Sequence, residues 1–277
     1  MKRLRLFEFG DQAWVPKYLR VRFHEILQHQ VGPIYRPVLP LLKFWIKANH
    51  VENITDLGSG TGGPWPELFP EIKGDCPDLS LTLSDQHPHP HGEMAYQDAP
   101  VDMNDPASWP AGGISIFSGL HHLKTAEVQA MLRETAEQQR PIFVAEFTER
   151  SILRCLGMFL SPILLWATAF HVRPFSWGRI FLTYLLPVIP FMYFWDGLIS
   201  NLRSFNKAEL DDFARMASVD GYRLQTFRFK IPGGAIQGIY SVQLTFSLPI
   251  NAQSLSRPHA ESECLPRASE SLQAVQA

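Results

Sequence analysis

The sequence predicts an α/β protein whose core is a parallel sheet with crossover helices, and two observations carry that prediction. Between residues 51 and 147, short β-branched and aromatic runs alternate with segments of helical periodicity. A helix between successive strands is the connection that parallel pairing requires. The first of those runs ends in a glycine-dense turn, Asp56-Leu57-Gly58-Ser59-Gly60-Thr61-Gly62-Gly63. Such a turn lets backbone bend tightly and approach a ligand with no Cβ in the way. At 277 residues, 45% of them apolar, the chain is long enough to bury one such core and carry an insertion.

Residues 1–50 read as a helical lead-in broken by Pro33, Pro37 and Pro40. Leu19, Phe23, Ile26 and Leu27 recur at the spacing of one apolar helix face. Phe7, Phe9 and Trp14 are expected to pack on the domain that follows. Strands are predicted at 54–57, 79–83, 114–117 and 142–147, the second ending at Ser84 and Asp85. Thr125 is placed to cap a helix carrying Val128, Met131, Leu132 and Thr135 on one face. Asn206 and Glu209 form a capping box ahead of Leu210, Phe213, Ala214 and Ala217. Phe227, Phe229 and Ile231 then alternate with Arg228 and Lys230, and a Pro232-Gly233-Gly234 turn region leads to Tyr240, Val242, Leu244 and Phe246. That alternation predicts an antiparallel pair at the sheet edge. The expected organisation is a lead-in (1–50), a catalytic domain (51–149 and 201–248), an apolar insertion (150–200) and a disordered tail (249–277).

Composition excludes some classes of function. The formal net charge is −2 and no long basic run occurs, so no nucleic-acid partner is expected. Cys76, Cys155 and Cys264 are odd in number and lie in no CxxC pair. They suggest neither a disulfide framework nor a zinc site, and a reducing cytoplasmic compartment fits best. Glu8 and Asp11 interrupt the start before any export signal could form.

The glycine turn alone fits a nicotinamide enzyme as well as a methyltransferase, because Gly58, Gly60 and Gly63 also satisfy GxGxxG. Three features favour S-adenosyl-L-methionine. Asp56 stands two residues before the first glycine, where a carboxylate suits the methionine ammonium group and would repel a pyrophosphate. Asp102, after Ala99-Pro100-Val101, is placed to accept from the adenine amino group. The predicted sheet also ends in a helix and a hairpin.

With these residues the chain resembles the class I S-adenosylmethionine-dependent methyltransferases. The resemblance matches the first motif at Asp56, Gly58, Ser59, Gly60 and Gly62, the ribose-binding acid at Asp85 with Gln86 beside it, and the adenine-side acid at Asp102. Phe117-Ser118-Gly119-Leu120-His121-His122 resembles the segment that in the family lines the cofactor and the acceptor mouth. The resemblance implies a Rossmann-like sheet of seven strands with the last reversed. The opening Phe7-Glu8-Phe9-Gly10-Asp11 and the stretch from Thr183 to Pro190, continuing to Trp195-Asp196-Gly197, also resemble a group of bacterial methyltransferases without an assigned acceptor.

Residues 152–200 break the pattern of a soluble sheet domain, since 152–170 and 180–195 are almost wholly apolar. Each run lies near or below the ~20 residues a spanning helix needs. Pro162, Pro187 and Pro190 would break or bend a helix there. Three arrangements fit: a hairpin dipping into one leaflet with Arg173, Trp177 and Arg179 at headgroup level, two tilted crossing helices, or a helical cap over the active site.

For catalysis, His121 and His122 are the candidate bases, and packing against the cofactor is their alternative role. Asp196, at the edge of an apolar run, is expected to pair with Arg203 or Arg173, or to face the acceptor. Glu146 is a further residue at the mouth. The prolines in Gln86-His87-Pro88-His89-Pro90-His91 keep the chain extended, so a polar loop is expected there and no metal site. The sequence therefore points to methyl transfer from S-adenosyl-L-methionine to a hydrophobic or lipid-like small molecule at a membrane surface. A nicotinamide-dependent oxidoreductase and a non-catalytic membrane-bound scaffold are the alternatives.

Overall fold

The structure, a computed structural model, describes residues 2–88, 94–230 and 241–249. Six strands, β1 (Asn53–Leu57), β2 (Ser80–Ser84), β3 (Gly113–Phe117), β4 (Ile142–Glu146), β5 (Tyr222–Lys230) and β6 (Ser241–Pro249), form one sheet in the order β2-β1-β3-β4-β6-β5. The first four are parallel, and β6 runs antiparallel to both β4 and β5. Every residue of β3 and β4 is buried, which is why those strands read as unbroken apolar runs rather than alternating ones.

The expected seventh strand is reduced to a single parallel bridge between Tyr96 and Leu83, on the outer side of β2. Two hydrogen bonds make it, Leu83 N–H to Ala95 O at 2.9 Å and Gln97 N–H to Leu83 O at 2.8 Å. Among the described residues the ladder extends no further.

Helices cover both faces. On one, α2 (Leu39–Ala48) and α3 (Trp65–Asp75) set Leu41, Leu42, Trp45, Leu68 and Ile72 against Ile54, Leu81, Phe143 and Phe246. These follow α1 (Lys17–Val31) in the chain. On the other face, α4 (Thr125–Glu137) and α9 (Lys207–Ala217) set Val128, Met131, Leu132, Leu210 and Phe213 against Ile114, Ile116, Val144 and Leu224. The capping box is present, with Asn206 Oδ1 accepting from Glu209 N–H at 3.0 Å and Glu209 Oε2 from Asn206 N–H at 2.8 Å. Thr125 is not the cap of α4. It is the first helical residue, and the Glu127 carboxylate accepts from the Lys124 N–H instead.

The insertion folds as α5 (Ile152–Gly157), α6 (Ser161–Thr168), α7 (Trp177–Ile180) and α8 (Val188–Arg203). Val15, Phe23 and Ile26 pack with Leu165, Ala169, Val172, Ile189 and Met192, so lead-in and insertion share one apolar cluster. Leu27, expected on the same face, is partly exposed. The lead-in is helical only from Lys17, because residues 2–16 are an irregular strap laid along the end of α8, with Leu4 N–H donating to Leu202 O.

Of the three prolines expected to break or bend the insertion, only Pro187 does so: Pro162 lies within Ile152–His171 and Pro190 in the first turn of α8, where a missing N–H costs nothing. A bend of 77° separates Trp177–Leu185 from Val188–Arg203, and Pro187 lies in the break. Helix α8 continues past residue 200, so that expected boundary falls inside a helix. Ile152–His171 is long and apolar enough to cross a membrane and is mostly unburied, as at Leu153, Phe159, Leu160 and Ile163. Arg179 is not at a headgroup level. It is fully buried, with one nitrogen on the Glu25 carboxylate and another donating to Val172 O and Pro174 O. The Pro232-Gly233-Gly234 turn region, His89 to His91 and the tail from 250 lie outside the described residues.

Replacing the α9 cap, Asn206→Ala, should lower unfolding stability by about 1 kcal/mol in a denaturant titration. An unchanged midpoint would mean that the box does not hold this helix.

Candidate cofactor and acceptor site

The parallel strands place their carboxyl ends together, and the chain passes from β1 to β2 on one side before returning to β3 on the other. That reversal makes the gap between β1 and β3 the place where a doubly wound sheet binds its ligand. The glycine turn leaves β1 at this point. Gly58, Gly60, Gly62 and Gly63 have φ of +68°, +54°, +110° and +50°, values that only glycine adopts readily. A Cβ on Gly60 or Gly63 would meet nothing within 4 Å, so conformation rather than crowding requires glycine there.

Asp56 supports the turn from below. Its carboxylate is buried and accepts from Ser59 Oγ at 2.7 Å and Ser115 Oγ at 2.6 Å, while Ser84 Oγ donates to its carbonyl at 2.8 Å. Burial pushes its pKa up to about 6, against the hydrogen bonds that favour the charged form. Asp85, at the end of β2, accepts from Gly60 N–H at 3.0 Å and His87 N–H at 2.8 Å. Each of its oxygens keeps a lone pair for a further donor. Gln86 is exposed beside it.

Asp102 accepts from the backbone and side-chain amides of Asn104 in a local turn. The preceding Val101 N–H donates to Asp85 O at 3.0 Å, which brings the two acids' segments together. Met103, which sequence reasoning missed, lies 3.2 Å from a Cβ on Gly58 and 3.5 Å from one on Gly119, joining the glycine turn to the turn after β3. No spacing signals that contact, because three separate strand ends create it. Tyr96 was missed as well; its hydroxyl donates to Gly60 O at 3.1 Å. Ser118 adopts φ +50° and shares a hydrogen bond with the buried Tyr35 hydroxyl.

The turn after β3 presents both histidines. His121 is buried, with Nδ1 2.9 Å from Glu146 Oε2 at the end of β4, and Glu146 Oε1 accepts from Leu120 N–H at 2.9 Å. His122 is partly exposed, with Nδ1 3.2 Å from Asp11. The strap brings Glu8 against both rings, with its carboxylate 3.8 Å from His121 Nε2 and 3.9 Å from His122 Nε2. Arg203 Nη1 and Ser200 Oγ donate to Glu8 Oε1 at 2.9 and 3.1 Å. Arg3 Nη2 holds His121 O at 3.1 Å, and Arg5 Nη2 holds His122 O at 2.9 Å. His122 is raised from its ordinary pKa, since Asp11 and Glu8 outweigh its burial, and Asp11 is held down at about 2, since His122 and Arg203 outweigh its own.

Asp196 does not pair with Arg203 or Arg173. Its two oxygens accept from Phe9 N–H at 2.7 Å and Gly10 N–H at 2.8 Å, and burial drives its pKa up to about 7. Two backbone amides satisfy this carboxylate where a guanidinium was expected, and Arg203 is taken by Glu8. A cleft of about 510 Å³ lined by Asn49, Asn53, Gly112 and Arg140 lies at the opposite end of the parallel strands, away from all of these groups.

No protein-family model and no curated protein matches the chain. Solved structures do. The plantazolicin methyltransferase BpumL in complex with SAH superposes with a TM-score of 0.53 over 87% of this chain and 94% of that chain, at 10% identity. The fold is that of the methyltransferases. An O-methyltransferase from neocarzinostatin biosynthesis, in complex with S-adenosyl-L-homocysteine and 1,4-dihydroxy-2-naphthoic acid, aligns with a TM-score of 0.48 at 16% identity, over 88% of this chain and 62% of that chain. Human N-acetylserotonin methyltransferase in complex with SAM aligns with a TM-score of 0.43 at 13% identity, over 86% of this chain and 60% of that chain.

The raised pKa of Asp56 fixes the sign of a pH effect. Against an ordinary value of 3.8, the folded state favours the neutral acid, so its contribution is present below pH 4 and is lost as pH rises through about 6. The melting temperature of the native chain relative to Asp56→Asn should therefore fall between pH 4 and pH 7. A difference independent of pH would remove this account of Asp56.

Proposed function

We propose that the chain is an S-adenosyl-L-methionine-dependent methyltransferase acting on a hydrophobic small molecule at a membrane surface. The observation that carries the reading is the glycine turn at the switch point of a methyltransferase sheet, with Asp85 beside it. In this reading Asp85 accepts from the ribose hydroxyls, Asp56 and Ser59 hold the turn under the methionine end, and Asp102 with Met103 borders the adenine. Gly58, Gly60, Gly62, Gln86 and Ser118 complete the cofactor's surroundings. Methyl transfer is an in-line displacement at a sulfonium carbon, and the cofactor supplies its electronics. The protein's task is to align the acceptor and exclude water.

His121 and His122 lie at the mouth, at the turn after β3. If the acceptor carries a proton of high pKa, they are the groups positioned to take it. Asp196 enters as a positioning residue, because its carboxylate fixes the strap that brings Glu8 to those histidines.

The hydrophobic acceptor and the membrane surface rest on the insertion. Phe159, Leu160, Ile163, Leu164, Trp177 and Leu185 are all exposed, and so many large apolar side chains left uncovered in one segment favour contact with a bilayer. The 77° bend between short helices suits a hairpin lying in one leaflet, with exposed Arg173 and Trp177 at its rim.

The activity is tested by incubating enzyme, labelled S-adenosyl-L-methionine and a membrane-containing extract, then partitioning the products between organic and aqueous phases. Label should enter the organic phase and be lost with Asp85→Ala, whose cofactor binding should weaken at least a few-fold given that charge-assisted hydrogen bonds are worth ~1.5–3 kcal/mol. Stabilisation by NAD(P) and none by S-adenosyl-L-homocysteine in a thermal melt would replace this reading with an oxidoreductase. For the surface, flotation with anionic phospholipid vesicles should carry the protein upward, and Leu160→Glu with Trp177→Glu should leave it at the bottom. Equal flotation of both proteins would make the insertion a cap only.

A further inference from the structure

We propose that Glu8, His121 and His122 form a binding site for a divalent transition-metal ion, built from two imidazoles and one carboxylate. The three ligand atoms lie within 4.8 Å of one another. His121 Nε2 is buried and makes no hydrogen bond, although it faces a carboxylate oxygen 3.8 Å away. A buried ring nitrogen without a partner is costly, and a bound cation would satisfy it.

The strongest argument is what surrounds the three donors. A metal-bound histidine ordinarily has its other ring nitrogen held by a carboxylate, which fixes the ring and makes it a better ligand. Both histidines meet that condition, through Glu146 at 2.9 Å from Nδ1 of His121 and Asp11 at 3.2 Å from Nδ1 of His122. Both Nε2 atoms are thereby turned toward Glu8. Glu8 Oε1, held by Arg203 and Ser200, is the oxygen that lies 3.8 Å from His121 Nε2, while Oε2, 3.9 Å from His122 Nε2, is left for the ion. The two rings are thus fixed through their distal atoms and free at the converging ones.

Glu8 presents different oxygens to the two rings, at 3.8 and 3.9 Å, so the carboxylate turns and the rings draw in when all three bind one ion. Two nitrogens and one oxygen suit zinc, cobalt or iron(II) better than magnesium, and three protein ligands leave a position open for an oxygen ligand. The inference does not depend on the methyltransferase reading; with the ion bound, both Nε2 atoms are coordinated and the histidines serve as ligands in place of bases.

The test uses the full chain, stripped with EDTA and dialysed, then loaded with Zn²⁺ or Co²⁺. One equivalent should remain after gel filtration, with a visible absorption band for Co²⁺ and a higher melting temperature, while Mg²⁺ should produce none of these. His122→Gln and His121→Gln should each abolish stoichiometric retention. Glu146→Gln should weaken affinity by roughly 10–100-fold, as removal of such a supporting carboxylate does. The variant with His87, His89 and His91 all changed to alanine should retain the ion. Failure of the native chain to bind, retention unchanged in His122→Gln, or loss in the triple variant would overturn the assignment. Circular dichroism confirms that each variant is folded, and methyl transfer is scored separately.

Discussion

Burying the Glu8 carboxylate imposes the constraint on which the rest of the site depends. A carboxylate removed from water must find compensation, and Glu8 finds it in Arg203 and Ser200, with the two histidine rings within 4 Å. Those partners come from the end of α8 and from the turn after β3. One side chain of an irregular strap therefore joins the sheet, the insertion and the amino-terminal segment. Arg3 and Arg5 reinforce the joint by covering the carbonyls of the histidine turn. Asp196 does the same from the other side by holding the amides of Phe9 and Gly10.

The fold was legible in the sequence to the extent that local chemistry decides it. The glycines, the apolar runs of β3 and β4 and the Asn206–Glu209 box each act over a few residues, and each is where periodicity and spacing put it. Less legible were the features that depend on distant partners. Nothing near Asp196 indicates that backbone amides from residues 9 and 10 would satisfy it, so a guanidinium was the reasonable expectation. Arg179 likewise sits in a sequence that suits a membrane rim, yet Glu25 lies on a helix 150 residues earlier and draws it inside.

The same distinction applies to the site. Asp56, Asp85 and the turn glycines announce themselves because one strand end and one turn carry them. Met103 and Tyr96 contact that turn from separate segments and leave no pattern in the sequence. In the sequence Glu8 and Asp11 mark only a charged opening that resembles other methyltransferases and interrupts an export signal. Their meaning emerges when the strap is laid beside His121 and His122.

The two margins of the sheet are finished in different ways. At β2 the Tyr96 bridge and its short segment occupy part of the outer face. At the other margin, from Arg223 onward, β5 pairs with β6 alone among the described residues, leaving every second residue's backbone donor and acceptor turned outward. Such a row invites another chain to add a strand. Arg223 stands exposed along it, while Arg228, on the opposite face of the strand, is drawn onto Glu149. Among the described residues, the long margin is therefore the side of the sheet where strand addition meets least resistance.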